Sequence, residues 1–190
     1  MTIYPNWFVG RQNNFELYLS SFADKPDLKF LQIGTFTGDA SVWMLKNILT
    51  DESSTLTDVD TWTGSDEEVH KKMDFNDVHN TYIEKTKDFK NRFWYKGKSV
   101  DFMMSEPHTL YDFIYIDGDH TASGVINDAV LAWQLLKPNG IMAFDDYVWT
   151  HEKGELYEPK SAIDFFCWAK QLELKIIDTN EQLWVQKNDN

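Results

Sequence analysis

Runs of apolar residues alternate along the chain with segments of helical apolar spacing, a pattern typical of an α/β protein. The strand-like runs are LKFLQIG, STLTDVD, RFWYKG, YDFIYID and GIMAFDD. Such alternation predicts one Rossmann-like, doubly wound sheet, mostly parallel, with helices on both faces. The last two runs, LKIID and LWVQK, are separated only by TNEQ. A parallel crossover needs about a dozen residues or more, so these two runs predict an antiparallel hairpin.

The longest helical pattern lies in the second half of the chain. From Ser123 to Leu136, apolar residues recur every three to four positions and predict one buried stripe: Ile126, Ala129, Val130, Trp133 and Leu136. The sequence Lys137-Pro138-Asn139-Gly140 ends this helix, because proline cannot continue it and Asn-Gly tolerates a left-handed turn. The fifth strand is therefore predicted to begin at Gly140.

Other helical regions have weaker boundaries. Helices are predicted near VDFMMS, from about Pro159 to Gln171, and between Ser65 and about Lys90, the last with an irregular start. The N-terminal segment also has helical spacing, with apolar residues at Phe15, Leu17, Tyr18 and Phe22. A chain of 190 residues predicts a single domain, 1–190, with residues 1–27 as a helical segment packed on its core.

Composition restricts the partners. The net charge of -13 argues against nucleic acid or a membrane surface, because both bind through clustered Lys and Arg, and it favours a small-molecule substrate. No run of 18 apolar residues occurs and the N-terminus lacks signal-peptide features, so we expect a soluble cytoplasmic protein. Cys167 is the single cysteine and is predicted to be a small core residue. A homo-oligomer is compatible with the sequence.

Candidate chemistry lies at the strand ends, where open α/β sheets bind ligands. The first strand ends in Gly34-Thr35-Phe36-Thr37-Gly38, directly before a helix. Glycines allow close approach of the backbone to a ligand, and the helix N-terminus offers free N–H groups. A plain tight turn is the alternative explanation. The loop differs from the dinucleotide signature G-x-G-x-x-G, because Phe36 holds its middle position and no third glycine follows.

The second strand ends in acid. A carboxylate at Asp60 can accept hydrogen bonds from both hydroxyls of a ribose, and Asp58, two positions earlier, competes for this role. Asp60 is followed by Thr61 and Trp62, and the aromatic ring suits a contact with adenine. Ser99 follows the third strand, where the far edge of that base would lie.

The fourth strand ends in Asp117-Gly118-Asp119-His120 and the fifth in Asp145-Asp146. On neighbouring strands these carboxylates would converge, and their repulsion raises their pKa values or calls for a hard cation such as Mg²⁺ or Ca²⁺. Asp119 or Asp146 as a simple cap is the alternative. His120 is a candidate general base, or else a partner of a loop carbonyl. The other histidines are predicted to lie on the surface: His70, His79, His108 and His151.

The chain resembles the class I S-adenosylmethionine-dependent methyltransferases, in particular methyltransferase family 24. The resemblance is carried by FLQIGTFTGDASVWML, LTDVDTW, YDFIYIDGDH, DAVLAWQLLKPNGIMAFDDY and PKSAIDFF. It runs from about Trp7 to Val185 and is most specific between Tyr111 and Tyr147. It implies a seven-stranded sheet whose last strand is antiparallel, in agreement with the predicted hairpin.

The resemblance also implies a site. S-adenosylmethionine would contact the loop and the strand ends through the following residues: Gly34, Thr35, Phe36, Gly38, Ser41, Asp60, Thr61, Trp62, Ser99 and Asp117. In related catechol-type O-methyltransferases a divalent cation is held at positions that correspond to Asp117, Asp145 and Asp146. Their catalytic lysine corresponds to His120. The implied reaction is O-methylation of a small molecule or sugar, with His120 and Asp117 as catalytic residues. The resemblance allows for Mg²⁺ or another divalent cation that assists the reaction.

Two positions depart from the family pattern. Gln32 stands where an acid usually precedes the glycine loop, and Asn139 replaces the first of two glycines before the fifth strand. Two alternatives follow. One is a nicotinamide-dependent oxidoreductase, disfavoured by Phe36 and by the closing hairpin. The other is a cofactor-binding module without catalysis, suggested by Gln32.

Overall fold

The computed structural model describes residues 3–189, which form one seven-stranded sheet. Its strands are β1 Lys29–Ile33, β2 Thr55–Asp60, β3 Arg92–Lys96, β4 Tyr111–Ile116, β5 Leu136–Phe144, β6 Leu174–Thr179 and β7 Leu183–Lys187. The strand order is β3-β2-β1-β4-β5-β7-β6. Strands β1 to β5 pair in parallel, whereas β7 is antiparallel to both β5 and β6. The predicted fold and its closing hairpin are confirmed.

Helices cover both faces of the sheet. They are α1 Gln12–Leu19, α2 Asp39–Asn47, α3 Phe75–Thr86, α4 Ser99–Ser105, α5 Ala122–Leu135 and α6 Lys160–Ala169, with short 3₁₀ helices at Trp7–Gly10, Ser20–Phe22, His70–Lys72 and Glu155–Tyr157. Alternate side chains of β4 face opposite layers: Ile114 packs with α4, α5 and α6, and Phe113 packs with α1 and α2. None of these helices is long and apolar enough to cross a membrane within the described residues.

The N-terminal segment packs on the sheet through α1. Phe15 and Leu19 are fully buried, and the ring of Phe15 lies 5.2 Å from that of Trp184 in β7. Leu17, one of the apolar residues of the predicted helical spacing, is 66% exposed, because it lies on the side of the helix opposite Phe15. The domain boundaries 1–190 stay a prediction, since residues 1, 2 and 190 lie outside the described part of the chain.

Two predicted boundaries are corrected. Helix α5 ends at Leu135, and Val130, predicted to be buried, is 49% exposed because the buried stripe is narrower than the apolar pattern. Strand β5 begins at Leu136, opposite Tyr111, rather than at Gly140. The left-handed turn predicted for Asn-Gly is present, with φ +62° at Asn139, and it lies within the strand as an irregularity rather than before it.

Two further predictions concern single elements. The region from Ser65 to about Lys90, predicted to be helical after an irregular start, forms a regular helix only in α3. The carboxylate of Asp74 caps α3 by accepting from the backbone N–H groups of Asn76 and Asp77. Cys167 is buried, as predicted.

Candidate functional site

The glycine loop lies against the end of β4. Gly34 has φ +81°, and a Cβ at this position would lie 1.8 Å from the carbonyl oxygen of Asp117, so only glycine fits. Gln32 lies behind the loop, fully buried, and donates from Nε2 to the carbonyl oxygen of Gly34 at 2.9 Å. Ser41 donates to Oε1 of Gln32 at 3.2 Å. The amide of Gln32 thus orders the loop, and the structure places Ser41, a predicted cofactor contact, in the interior.

Asp60 lies at the end of β2 and holds the glycine loop. Its carboxylate accepts from the backbone N–H groups of Thr35 at 2.7 Å and of Phe36 at 3.0 Å. It also accepts from the N–H of Trp62 at 2.7 Å. Asp58 and Asp60 were the two candidates for a ribose contact, and they differ in burial. Asp58 is fully buried, whereas Asp60 is only partly buried at the strand end. The predicted contact of Asp60 with a ribose stays a prediction.

The predicted adenine contacts have other partners in this structure. Trp62 is only 3% exposed, its indole N–H donates to the carbonyl of Phe36 at 2.9 Å, and its ring packs against Tyr82. A stacking contact with adenine would therefore require this cluster to open. Thr61 accepts from the hydroxyl of Thr63. These placements favour a structural role for Trp62.

Ser99 donates its hydroxyl to Asp128 Oδ1 at 2.5 Å. Asp128 lies on α5 and is almost completely buried, and burial raises its pKa to about 6 although the Ser99 hydroxyl opposes this shift. Asp128 was not among the predicted site residues. The sequence does contain an indication of this residue, because Asp128 is a single carboxylate between Val125 and Ala129 in the apolar stripe of α5.

Of the acids predicted to converge after β4 and β5, Asp117 and Asp146 lie near His120. The imidazole Nε2 lies 3.2 Å from Asp146 Oδ2 and 3.9 Å from Asp117 Oδ1. Burial and the nearby charge of Asp145 raise the pKa of Asp117 well above its usual range, and the same two causes raise the pKa of Asp146. These carboxylates therefore bind protons more strongly than free aspartate does.

Acidic side chains lie near both ring nitrogens of His120. Burial lowers its pKa, but contacts with Asp117 and Glu67 and the charge of Asp146 outweigh burial, so the net pKa is raised well above the usual value. The Nδ1 atom lies 3.4 Å from Glu67 Oε1. The ring of Trp149 lies 5.1 Å from the imidazole. The charges around His120 stabilise its imidazolium form.

Glu67 and His70 belong to the same network, and neither was among the predicted site residues. The hydroxyl of Ser65 donates to Glu67 Oε1 at 2.7 Å, and His70 Nδ1 accepts from the backbone N–H of Ser65 at 3.1 Å. The contact with His120 lowers the pKa of Glu67 to about 2. The prediction that His70 lies on the surface is wrong, because its side chain is only 14% exposed. No spacing in the sequence marks these contacts.

Arg11 is a further residue of the cluster that was not among the predicted site residues. Its Nε donates to Asp145 Oδ1 at 2.7 Å, its Nη2 donates to Asp146 Oδ1 at 3.3 Å, and its Nη1 pairs with Glu181. The hydroxyl of Tyr115 donates to the second oxygen of Asp145 at 2.7 Å. Both carboxylate oxygens of Asp145 are therefore already hydrogen-bonded.

The predicted cation ligands do not fit together as a set. Asp145 is turned toward Arg11 and Tyr115, so it is not available beside Asp117 and Asp146. Among the described residues, the ligand atoms that lie within 4.8 Å of one another belong to Asp117, His120 and Asp146. In this second set Asp146 offers one carboxylate oxygen, but its two oxygens already face Arg11 and His120. The arrangement does not favour a cation held by the predicted three carboxylates.

The strand ends around the glycine loop fit a nucleoside-type ligand better than the acidic cluster fits a cation. Strand order reverses between β1 and β4, and the glycine loop and Asp60 lie at the carboxyl ends of β1 and β2 beside this point. The hydroxyl of Thr35 is buried and has no hydrogen-bond partner, a polar group that a ligand can satisfy. The volume beside Asp117 and His120 is only about 10 Å³, enough for about one water molecule. A cleft of about 490 Å³ lies elsewhere, along α6 and β6, and contains none of the predicted site residues.

The sheet order, the antiparallel β7 and the glycine loop followed by an acid at the end of β2 together define a class I S-adenosylmethionine-dependent methyltransferase. The chain belongs to methyltransferase family 24, whose family model, described as a methyltransferase domain, matches residues 31–147. The predicted family is confirmed.

Individual relatives are more distant. The chain is 28% identical over 131 residues to "Uncharacterized protein R132" of Acanthamoeba polyphaga mimivirus, a match that covers 68% of this chain and 56% of that protein. It is similar in structure to an O-methyltransferase from Bacillus cereus in complex with S-adenosylhomocysteine, with a TM-score of 0.60, 16% identity and coverage of 98% and 94%. It is also similar to the N-methyltransferase NodS from Bradyrhizobium japonicum in complex with the same compound. The TM-score is 0.64, the sequence identity is 15%, and the match covers 97% of this chain and 89% of that one. Both oxygen and nitrogen methyltransferases share the fold, so the fold alone does not select the acceptor atom.

Proposed function

We propose that this protein transfers a methyl group from S-adenosylmethionine to a hydroxyl of a small molecule or sugar. The observation that carries the proposal is the position of His120, whose Nε2 lies between the carboxylates of Asp117, after β4, and Asp146, after β5. The end of β4 contacts the glycine loop through Asp117 and Gly118, and a basic group that follows at this strand end suits deprotonation of a hydroxyl during transfer. The net charge of -13 supports an acceptor that is neither nucleic acid nor a membrane surface.

The proposed cofactor contacts follow the strand ends. The loop from Gly34 to Gly38 lies against the methionine part, and the unpaired hydroxyl of Thr35 is the polar group there. Asp60 accepts from the ribose hydroxyls in exchange for one of its backbone donors. Thr61 is a further cofactor contact, and Trp62 and Ser99 flank the adenine. Trp62 and Ser99 take this role only if they leave their present partners, and Ser41 supports the loop through Gln32 rather than by contact.

S-adenosylmethionine supplies an electrophilic methyl group on a sulfonium centre, so the protein mainly aligns the acceptor with it. Because the surrounding carboxylates favour the imidazolium, His120 first releases that extra proton. Its neutral imidazole then takes the hydroxyl proton at Nε2, while the acceptor oxygen bonds to the methyl carbon and the sulfur keeps the bonding electrons. The carboxylates of Asp117 and Asp146 stabilise the imidazolium that forms. The carboxylate of Glu67 lies 3.4 Å from the other ring nitrogen and adds a further negative charge beside the imidazole.

Substitution of His120 tests this role. We expect His120→Gln to lower turnover by roughly 10² to 10⁴, the usual contribution of a general base. The affinity for S-adenosylhomocysteine, measured by calorimetry, should change little, because His120 lies beyond the glycine loop. His108→Gln is the matched control, since His108 is exposed in a loop. Full activity of the His120 variant on an accepted hydroxyl compound would contradict the assignment.

Two alternatives make different predictions. Family membership leaves the nicotinamide-dependent oxidoreductase without support. A cofactor-binding module without catalysis predicts that S-adenosylhomocysteine binds, that no acceptor in a panel of hydroxyl compounds is methylated, and that Asp117→Ala leaves cofactor affinity unchanged. Absence of any S-adenosylmethionine or S-adenosylhomocysteine binding at millimolar concentration would contradict both this module and the methyltransferase proposal.

A further inference from the structure

We propose that Arg11 is the resident cation of the β5 acidic pair, Asp145 and Asp146, and that the chain holds no divalent cation there while Arg11 is in place. The guanidinium contacts both members of the pair, at 2.7 Å and 3.3 Å. A planar guanidinium with several fixed N–H donors suits two adjacent carboxylates better than a point charge does. The positive charge that such a pair requires is thus supplied by the chain itself.

The donor geometry leaves little for a metal ion. Asp145 accepts from Arg11 through one oxygen and from Tyr115 through the other. Asp146 faces Arg11 with Oδ1 and His120 with Oδ2. A cation bound to either carboxylate would have to displace a nitrogen or hydroxyl partner, and it would lie within a few ångströms of a guanidinium of like charge.

Arg11 is held in place by its neighbours in the chain. It connects the 3₁₀ helix Trp7–Gly10 to α1, and its backbone N–H donates to the carbonyl of Phe8 at 2.8 Å. Phe8 and Phe15 on either side are buried, with ring centroids 4.9 Å apart. A third acid, Glu181 from the turn between β6 and β7, pairs with the same guanidinium. The side chain is only 19% exposed, so it is a fixed part of the cluster rather than a mobile surface charge.

A consequence for catalysis rests on the proposed function: methyl transfer should not require a divalent cation and should survive chelation. The inference about Arg11 itself does not depend on catalysis. Metal binding to the full chain tests it without S-adenosylmethionine or an acceptor, so failure of one proposal is distinguishable from failure of the other.

The experiment measures Mn²⁺ binding to the metal-stripped full chain by electron paramagnetic resonance and calorimetry. We expect the wild type to show no stoichiometric Mn²⁺ site at millimolar metal. Arg11→Met removes the charge but keeps an unbranched side chain. It should create one Mn²⁺ site whose affinity is at least roughly tenfold tighter than the millimolar limit set by the wild type, because two adjacent carboxylates are then uncompensated. Arg11→Lys keeps a positive charge and should not create the site. Asp145→Asn in the Arg11→Met background should remove it.

Two outcomes would overturn the inference. One is a stoichiometric Mn²⁺ site in the wild type that Asp145→Asn or Asp146→Asn abolishes. The other is an Arg11→Met protein that retains the wild-type circular dichroism spectrum and still binds no Mn²⁺. If Arg11→Met does not fold, the wild-type titration with its two asparagine variants decides the question alone.

Discussion

Asp58 should make the stability of this protein depend on pH. The side chain is fully buried in β2, its Oδ2 accepts from the hydroxyl of Tyr82 at 2.8 Å, and its Oδ1 has no partner. Burial raises the pKa of Asp58 from 3.8 to about 7, although the Tyr82 hydroxyl opposes the shift. The ionised form is therefore disfavoured in the folded protein relative to the unfolded chain.

The sign and size of the effect follow from linkage. Below the unfolded pKa of 3.8 both states carry the proton, and the stability due to this group is fully present. As pH rises, the unfolded chain ionises first, and this stability is lost until the folded group ionises near pH 7. At about 1.4 kcal/mol per pKa unit the total loss is about 4 kcal/mol, of which about 2.5 kcal/mol falls between roughly pH 5 and pH 8.

Asp58→Asn removes this titration and keeps an acceptor for Tyr82. Urea unfolding of the wild type and the variant, at several values between about pH 5 and pH 8, gives the free energy of unfolding for each. As pH rises across that range, we expect the free energy of unfolding of the wild type to fall by about 2.5 kcal/mol relative to that of the variant. Asp101→Asn, an exposed carboxylate on α4, is the control and should show no such shift. Parallel pH profiles for wild type and Asp58→Asn would refute the reasoning.

Two further predictions test the loop and the N-terminal segment. Gly34→Ala places a Cβ 1.8 Å from the Asp117 carbonyl at a φ of +81°, so calorimetry should show loss of S-adenosylhomocysteine binding, whereas Gly10→Ala has nothing within 4 Å and should bind normally. Equal binding by both variants would contradict the close contact of loop and β4. Phe15→Ala empties a fully buried position and should lower the free energy of unfolding by roughly 3 to 5 kcal/mol, whereas Leu17→Ala, at an exposed position, should change it by less than about 0.5 kcal/mol. A small effect of Phe15→Ala in urea unfolding would show that α1 does not contribute to the core.

The strand ends were predictable because local sequence determines them. Apolar runs locate the parallel strands, and the carboxyl ends of parallel strands share one edge of the sheet. This places Asp60, Asp117 and Asp145 on the same edge without knowledge of the structure. The hairpin of β6 and β7 was equally local, since four residues cannot form a parallel crossover.

The partners of these residues were not predictable. Arg11 pairs with Asp145 across 134 positions of sequence, and Tyr115 joins Asp145 from the neighbouring strand. Glu67 reaches His120 from a segment with no recognisable motif. The side-chain direction of each acid depends on these contacts, which explains why Asp145 is directed away from Asp117 although both end adjacent strands.

The sequence by itself determined the order and type of the elements, the family and the edge of the sheet at which the site lies, because periodicity, turn residues and short connections act over a few residues. Only the tertiary structure decided which acids are exposed, which are buried and which carry a cation partner. Asp58 and Asp60 are two residues apart on one strand, yet one is fully buried and the other holds the glycine loop. Burial and charge pairing arise from residues distant in the chain, so only the folded arrangement specifies them.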